Sequence, residues 1–239
     1  MEATNRPNTK IAGAGNVAGG MYGDISIAGA GTVRGDLDAT TLKIAGTADV
    51  QGKVVATTVT VSGNGNFYGD VQASTFLVSG NADVKGGVGA GFLKIAGACT
   101  IAGSVNAQRL EIRGTTRIGG DVQSEDFNAS GVFSVGGLLN AETVTIKLYG
   151  GCDAHDIGGQ SIDVRLGKPW AFLPFFGERN LTADTIEGDT VYLENTRAKV
   201  VRGANVTIGT ACSIDLVEYS DSLTGSAGIV SSRKVAPGA

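Results

Sequence analysis

Residues 44–61 read IAGTADVQGKVVATTVTV, and apolar or small side chains occupy every second position up to Ala56. A period of two is typical of a β-strand, whereas a helix repeats about every 3.6 residues. The alternation slips by one position at Thr57 and Thr58 and resumes at Val59. A repeat with an odd number of residues requires such a slip, because strict alternation would bring an inward position back on the outside.

The same pattern returns every seventeen residues between residues 25 and 144, without an insertion. Two glycine ladders mark it: Gly29, Gly46, Gly63, Gly80, Gly97, Gly114 and Gly131, and Gly35, Gly52, Gly69, Gly86, Gly103, Gly120 and Gly137. An apolar ladder in the same register is Val33, Val50, Phe67, Val84, Ile101, Ile118 and Val135. A strict repeat of this length predicts a solenoid, in which each repeat is one turn.

The two glycines of a turn, such as Gly46 and Gly52, lie six residues apart. We interpret them as corners, because glycine bends a backbone at the lowest steric cost. Three short faces per turn follow, stacked at the inter-strand spacing of about 4.8 Å. The sequence therefore predicts an all-β fold, a triangular parallel β-helix with seventeen-residue turns.

The composition agrees with many short strands around a narrow core. Glycine accounts for 38 of 239 residues, aromatic residues for 6% and hydrophobic residues for 42%. A net charge of −4 provides no basic face and argues against a nucleic-acid partner. The sequence shows no signal peptide and no run of eighteen apolar residues, so a cytoplasmic location is expected.

Motifs that carry chemistry are scarce. Gly13-Ala14-Gly15 resembles part of a dinucleotide fingerprint, but it recurs with the repeat, and no phosphate-loop motif occurs. His155 is the only histidine, and we expect it at a solvated corner. The sequence thus predicts no catalytic residue, no metal ligand and no cofactor.

The three cysteines are predicted to point inward as small hydrophobic residues. Cys99 lies in a ladder with Ala48 and Ala82, and Cys152 falls in step with Val135. Cys212 alternates with apolar neighbours in the same way. Buried cysteines of this kind usually contribute packing, not reactivity.

The sequence predicts a β-helix over residues 10–219, with disordered tails at 1–9 and 220–239. Residues 168–180 interrupt the β-helix, because prolines prevent this segment from pairing as an internal strand. Its apolar residues are Trp170, Phe172, Leu173, Phe175 and Phe176. Such a patch either packs against the body or contacts a partner or a membrane surface.

Neither end of the predicted solenoid carries a segment resembling an amphipathic capping helix. An uncovered end exposes unpaired strand edges and the apolar core. We therefore predict a polymer interface at Ile11 and Val17 at one end and at Ile214 and Leu216 at the other.

The repeated steps Gly35-Asp36-Leu37, Gly69-Asp70-Val71 and Gly120-Asp121-Val122 resemble the bactofilins, as do the glutamate- and tyrosine-bearing turns of residues 180–219. The similarity is greatest to the long, polymer-forming members of Gram-positive bacteria. It implies a right-handed β-helix that assembles without nucleotide into non-polar filaments. It also implies a bacterial scaffold that often associates with the inner face of the cell membrane.

Three classes of function compete. A structural cytoskeletal polymer explains the repeat, the missing catalytic set and the uncapped ends, and its partners would be further copies of itself, a membrane surface and scaffold clients. A β-helix acyltransferase would favour eighteen-residue turns and a catalytic histidine in a cleft, for which His155 is a poor candidate. A non-polymerising binding module is the remaining alternative.

Overall fold

The computed structural model describes residues 6–168, 178–225 and 228–235. These residues form nineteen β-strands, and no helix occurs among them. The chain divides into two compact units, Met1–Arg117 and Ile118–Ala239. Each unit is a parallel β-solenoid, which confirms the predicted fold class, whereas the right-handed winding stays a prediction.

The first unit contains eleven strands and most of a twelfth. They are β1 (Thr9–Ile11), β2 (Ala14–Ile27), β3 (Ala30–Ile44), β4 (Thr47–Val50), β5 (Val54–Val61), β6 (Asn64–Phe67), β7 (Val71–Val78), β8 (Asn81–Val84), β9 (Val88–Ile95), β10 (Ala98–Ile101), β11 (Val105–Ile112) and β12 (Thr115–Ile118). A regular turn combines a strand of four residues with one of eight, as β4 and β5 show.

The eight-residue strands bend in the middle. In β5, Val54 and Ala56 are buried, the alternation breaks at Thr57 and Thr58, and Val59 and Val61 are buried again. The ladder between β5 and β7 leaves out Thr57 at this bend. The predicted slip is therefore real, and it divides each turn into three short faces. Like residues stack seventeen positions apart, for example Val59 beside Phe76.

Close stacking explains the first glycine ladder better than bending does. A Cβ atom on Gly63 would overlap the carbonyl oxygen of Gly46, and the same clash recurs between Gly80 and Gly63. The overlapping atoms belong to the backbone, which cannot move aside as a flexible side chain can. Glycine is required at these corners because consecutive turns come too close for any side chain.

The Gly-Asp steps have a separate role. The Asp36 carboxylate accepts a hydrogen bond from the backbone N–H of Lys53 at 2.8 Å, and Asp70 does the same for Gly87 at 2.8 Å. Each aspartate thus satisfies a backbone N–H at the corner of the following turn. Without the aspartate, that N–H could hydrogen-bond only to water.

The second unit continues with seven strands after β12. They are β13 (Val122–Ala129), β14 (Val132–Leu148), β15 (Cys152–Leu166), β16 (Leu181–Leu193), β17 (Thr196–Ile208), β18 (Ser213–Thr224) and β19 (Ile229–Lys234). Each pairs in parallel with the next along the chain.

The turns that follow β14 in the second unit depart from the seventeen-residue repeat. Val144 lies beside Ile162, eighteen residues later, one more than the regular repeat. Leu181 lies beside Thr196, only fifteen residues later. In this shorter turn, β16 runs through thirteen residues without the break that separates the two strands of a regular turn.

The predicted register of Cys152 is wrong, although its burial is confirmed. Val135 pairs with Ala154, and Cys152 pairs with Leu181. A longer connection before β15 moves the strand by two positions relative to strict repetition.

The predicted tails contain ordered segments. Arg6 forms a bidentate ion pair with Asp38, and the carbonyl of Pro7 accepts a hydrogen bond from the backbone N–H of Gly23. At the other end, β18 extends to Thr224, and β19 pairs with it. Backbone pairing to an existing strand edge supplies the order that few apolar residues could provide.

Candidate functional site

The histidine is part of an exposed charge cluster. The His155 ring nitrogen Nδ1 lies 2.8 Å from a carboxylate oxygen of Asp156, and its Nε2 lies 3.8 Å from Asp184. The hydrogen bond with Asp156 raises the pKa of His155. Lys199 binds the Asp184 carboxylate at 2.8 Å. In the described part of the chain, no group of histidine, cysteine and acidic residues has the arrangement of a metal site.

All three cysteines are free thiols with buried side chains. Burial raises the pKa of the Cys99 thiol to about 12 and that of Cys152 to about 11. Burial likewise raises the pKa of Cys212, whose sulfur donates towards the carbonyl of Leu193 at 3.3 Å. Thiolate is the reactive form of cysteine, so these residues are inert at neutral pH.

We expect the folded protein to react with an aromatic disulfide reagent at pH 8 on the order of 100-fold more slowly than the unfolded chain. The measurement is the time course of thiol release with and without guanidinium chloride. In denaturant, all three cysteine thiols should react with the reagent promptly. Rapid release of one equivalent from the folded protein would contradict the burial of that cysteine.

The N-terminal turn of the first unit presents an open strand edge. Ile11 lies in β1 beside Ile27, and Val17 lies in β2 beside Val33. Their side chains are 8% and 6% exposed. Among the described residues, no strand pairs with the outer side of β1. The nearby Met21 side chain is 49% exposed, so this turn offers both apolar surface and unpaired backbone.

The C-terminal turn of the second unit differs from this. Ile214 is fully buried and pairs with Ile229 of β19, while Leu216 is half-buried and pairs with Ser231. Both predicted interface residues therefore lie one layer beneath the last described strand. Their participation in a polymer interface stays a prediction.

A column of alternating charges crosses four successive turns of the second unit. Its members are Glu187, Arg202, Glu218 and Arg233, each beside the next in the parallel register. Arg202 Nε donates to Glu218 at 2.6 Å, and Arg233 Nε donates to the other oxygen of the same carboxylate at 2.6 Å. These two hydrogen bonds lower the pKa of Glu218.

Sequence reasoning missed this column and the strand β19. A usable signal was present, since Glu187, Arg202, Glu218 and Arg233 alternate in sign at intervals of fifteen or sixteen residues. The signal escapes a search at seventeen residues, because the turns are shorter here.

The predicted apolar patch, Trp170, Phe172, Leu173, Phe175 and Phe176, lies outside the described residues, and its contact with a membrane or partner stays a prediction. The residues that flank it are described. Arg179 Nη1 donates to the carbonyl of Gly167 at 3.0 Å, so the two described flanks of the segment lie in contact. In the residues that the structure covers, we find no helix with the length and apolar character needed to cross a membrane.

Stacked parallel turns that pair in register define a class, that of solenoid repeat proteins. The sequence model of the bactofilin family, described as polymer-forming cytoskeletal, matches residues 5–88 and 64–141, together more than half of the chain. The chain belongs to the bactofilin family.

Two relatives come from Bacillus subtilis strain 168. The uncharacterized protein YhbE is 45% identical over 89 residues, which cover 36% of this chain and 38% of YhbE. The uncharacterized protein YhbF is 44% identical over 85 residues, which cover 34% of each protein. The chain thus spans somewhat over a third of the length of these curated relatives. No solved structure matches it significantly.

Proposed function

We propose that this protein assembles end to end into filaments without nucleotide and serves as a cytoskeletal scaffold. The observation that carries the proposal is the open N-terminal turn, where buried Ile11 and Val17 border an unpaired strand edge. A second copy placed against this turn would satisfy backbone hydrogen bonds and bury apolar surface together. The family description, polymer-forming, supports the same role.

Two features favour assembly through turns over a catalytic role. The fold already repeats one interface, parallel strands in register, at each internal layer of each unit. A contact between copies would extend that interface and needs no new recognition chemistry. The described titratable cluster at His155 is exposed and pairs with carboxylates, which suits a solvated surface.

Negative-stain microscopy and sedimentation of the purified protein without nucleotide test this proposal. We expect filaments from the native chain, and we expect Met21→Glu to raise the concentration needed for assembly at least about tenfold, because it places a carboxylate on the exposed apolar surface of the N-terminal turn. Asn16→Glu is the matched control, since Asn16 is exposed in the same strand. Its assembly should remain near the native level.

Circular dichroism should show that both variants keep their β-structure. A native protein that sediments as a monomer throughout the micromolar range would overturn the proposal. Equal weakening by the two substitutions would show a general effect of negative charge and would contradict a specific apolar contact at the N-terminal turn.

A further inference from the structure

The last described strand, β19, lies on the edge of β18 with very little burial. Only Ile229 is half-buried, and the other five side chains are exposed, with Val230 at 79%. Internal strands such as β17 alternate buried and exposed positions between two neighbours. A strand held on one side with few apolar contacts belongs to the least stable parts of a fold.

β19 nevertheless changes the chemistry of the surface that it covers. Beneath it, Ile214 and Val217 are both 0% exposed, and they pair with Ile229 and Ser232. Without β19, these two apolar side chains and the edge of β18 would face solvent. With it, the outer layer is the polar run Ser231 to Lys234, and polar outer faces keep terminal repeats soluble.

The polar interactions that hold β19 can be broken without leaving a buried charge alone. Arg233 binds Glu218, and Ser231 Oγ donates to the carbonyl of Asp215 at 2.8 Å. If β19 left, Glu218 would keep its hydrogen bond from Arg202 at 2.6 Å. The penalty of an unpaired buried carboxylate would therefore be avoided.

The connection to β19 also contains two glycines with positive φ angles. Gly225 and Gly228 have φ angles of +82° and +83°, a region that favours glycine. Side chains there would moreover collide with the carbonyl oxygens of Ile208 and Cys212. These glycines let the chain rise from one layer to the next and place β19 in register on β18.

We propose that the edge of β18, from Ile214 to Tyr219, is a docking site for the terminal turn of a second copy, and that β19 occupies this site in the isolated chain. The inference rests on the proposed self-assembly. A second copy is the occupant that fits, because the edge is a parallel strand over an apolar core and the same edge of another copy presents the same strand with Ile214 and Val217. β19 thus competes with assembly.

A pair of matched substitutions separates this role from a general effect of charge. Arg233→Glu places a carboxylate against Glu218 and should loosen β19, lowering the concentration needed for assembly about fivefold or more. Lys234→Glu makes the same change in charge at the next residue, whose side chain donates to the carbonyl of Asp221 at 3.4 Å. It should assemble within about twofold of the native chain.

A reversible crosslink provides the opposite test. Leu216 and Ser231 are register partners on β18 and β19, and neighbouring strands lie about 4.8 Å apart, within the range that a disulfide spans. We expect the oxidised double variant Leu216→Cys, Ser231→Cys to form no filaments. Reduction should restore them, and the buried native thiols should not interfere.

The outcomes are distinct. Filaments formed equally well by the oxidised and reduced variants would overturn the role of β19 and leave self-assembly standing. Equal behaviour of Arg233→Glu and Lys234→Glu would also overturn it. Failure of the native chain and of every variant to assemble, at any concentration, would overturn the proposed function itself.

Discussion

Val59→Lys is expected to lower the melting temperature by about 10 °C or more, while Val55→Lys in the same strand leaves it nearly unchanged. Val59 is fully buried between Leu42 and Phe76 of the adjacent turns. The substitution loses roughly 2 kcal/mol of apolar burial and adds several more for desolvating an unpaired ammonium group. Among the described residues of the first unit, no acidic side chain is buried, so the core would leave that charge unpaired.

Val55 is the matched control, because it undergoes the same substitution four residues away. Its side chain is 42% exposed and lies beside Asp38 and Gln72. A lysine there would point into solvent near an acidic neighbour. Thermal unfolding followed by circular dichroism measures both variants. Similar losses at the two positions would contradict the assignment of inward and outward faces.

Gly63→Ala is expected to destabilise the first unit by about 2 kcal/mol or more, although it adds only a methyl group. That methyl group would collide with the carbonyl oxygen of Gly46 and lie 2.5 Å from that of Ala45. Both obstacles are backbone atoms of the preceding turn, so relief would require the two turns to separate. Separation would in turn weaken the neighbouring hydrogen bonds of the ladder.

Gly89→Ala makes the same change where space is available. The nearest atom to its added Cβ would be Cγ of Gln72 at 3.6 Å, an ordinary contact. Alanine also restricts the unfolded chain, so this variant should be neutral or slightly more stable. Urea or thermal unfolding of the two variants compares them directly. A loss at Gly89 as large as that at Gly63 would show that stacking distance is not the reason for the glycine ladder.

The candidate site was only partly predictable. The apolar residues of the N-terminal turn, Ile11 and Val17, follow from the repeat alone, and the structure places them in its outermost described layer. Ile214 follows from the same alternation and is indeed inward. Its cover, β19, did not follow, because a strand with one half-buried residue leaves no hydrophobic pattern in the sequence.

The sequence by itself determined the solenoid class, the seventeen-residue turns of the first unit and the inward positions such as Val59. These features are local and periodic, so each turn carries the full information and neighbouring turns repeat it. Tertiary structure alone decided the fifteen-residue turns, the partner of Cys152 and the meeting of Glu218 with Arg233. Cys152 lies beside Leu181, twenty-nine residues away across an interruption. No local pattern specifies that pairing, because the seventeen-residue repeat does not fix the number of residues between β15 and β16.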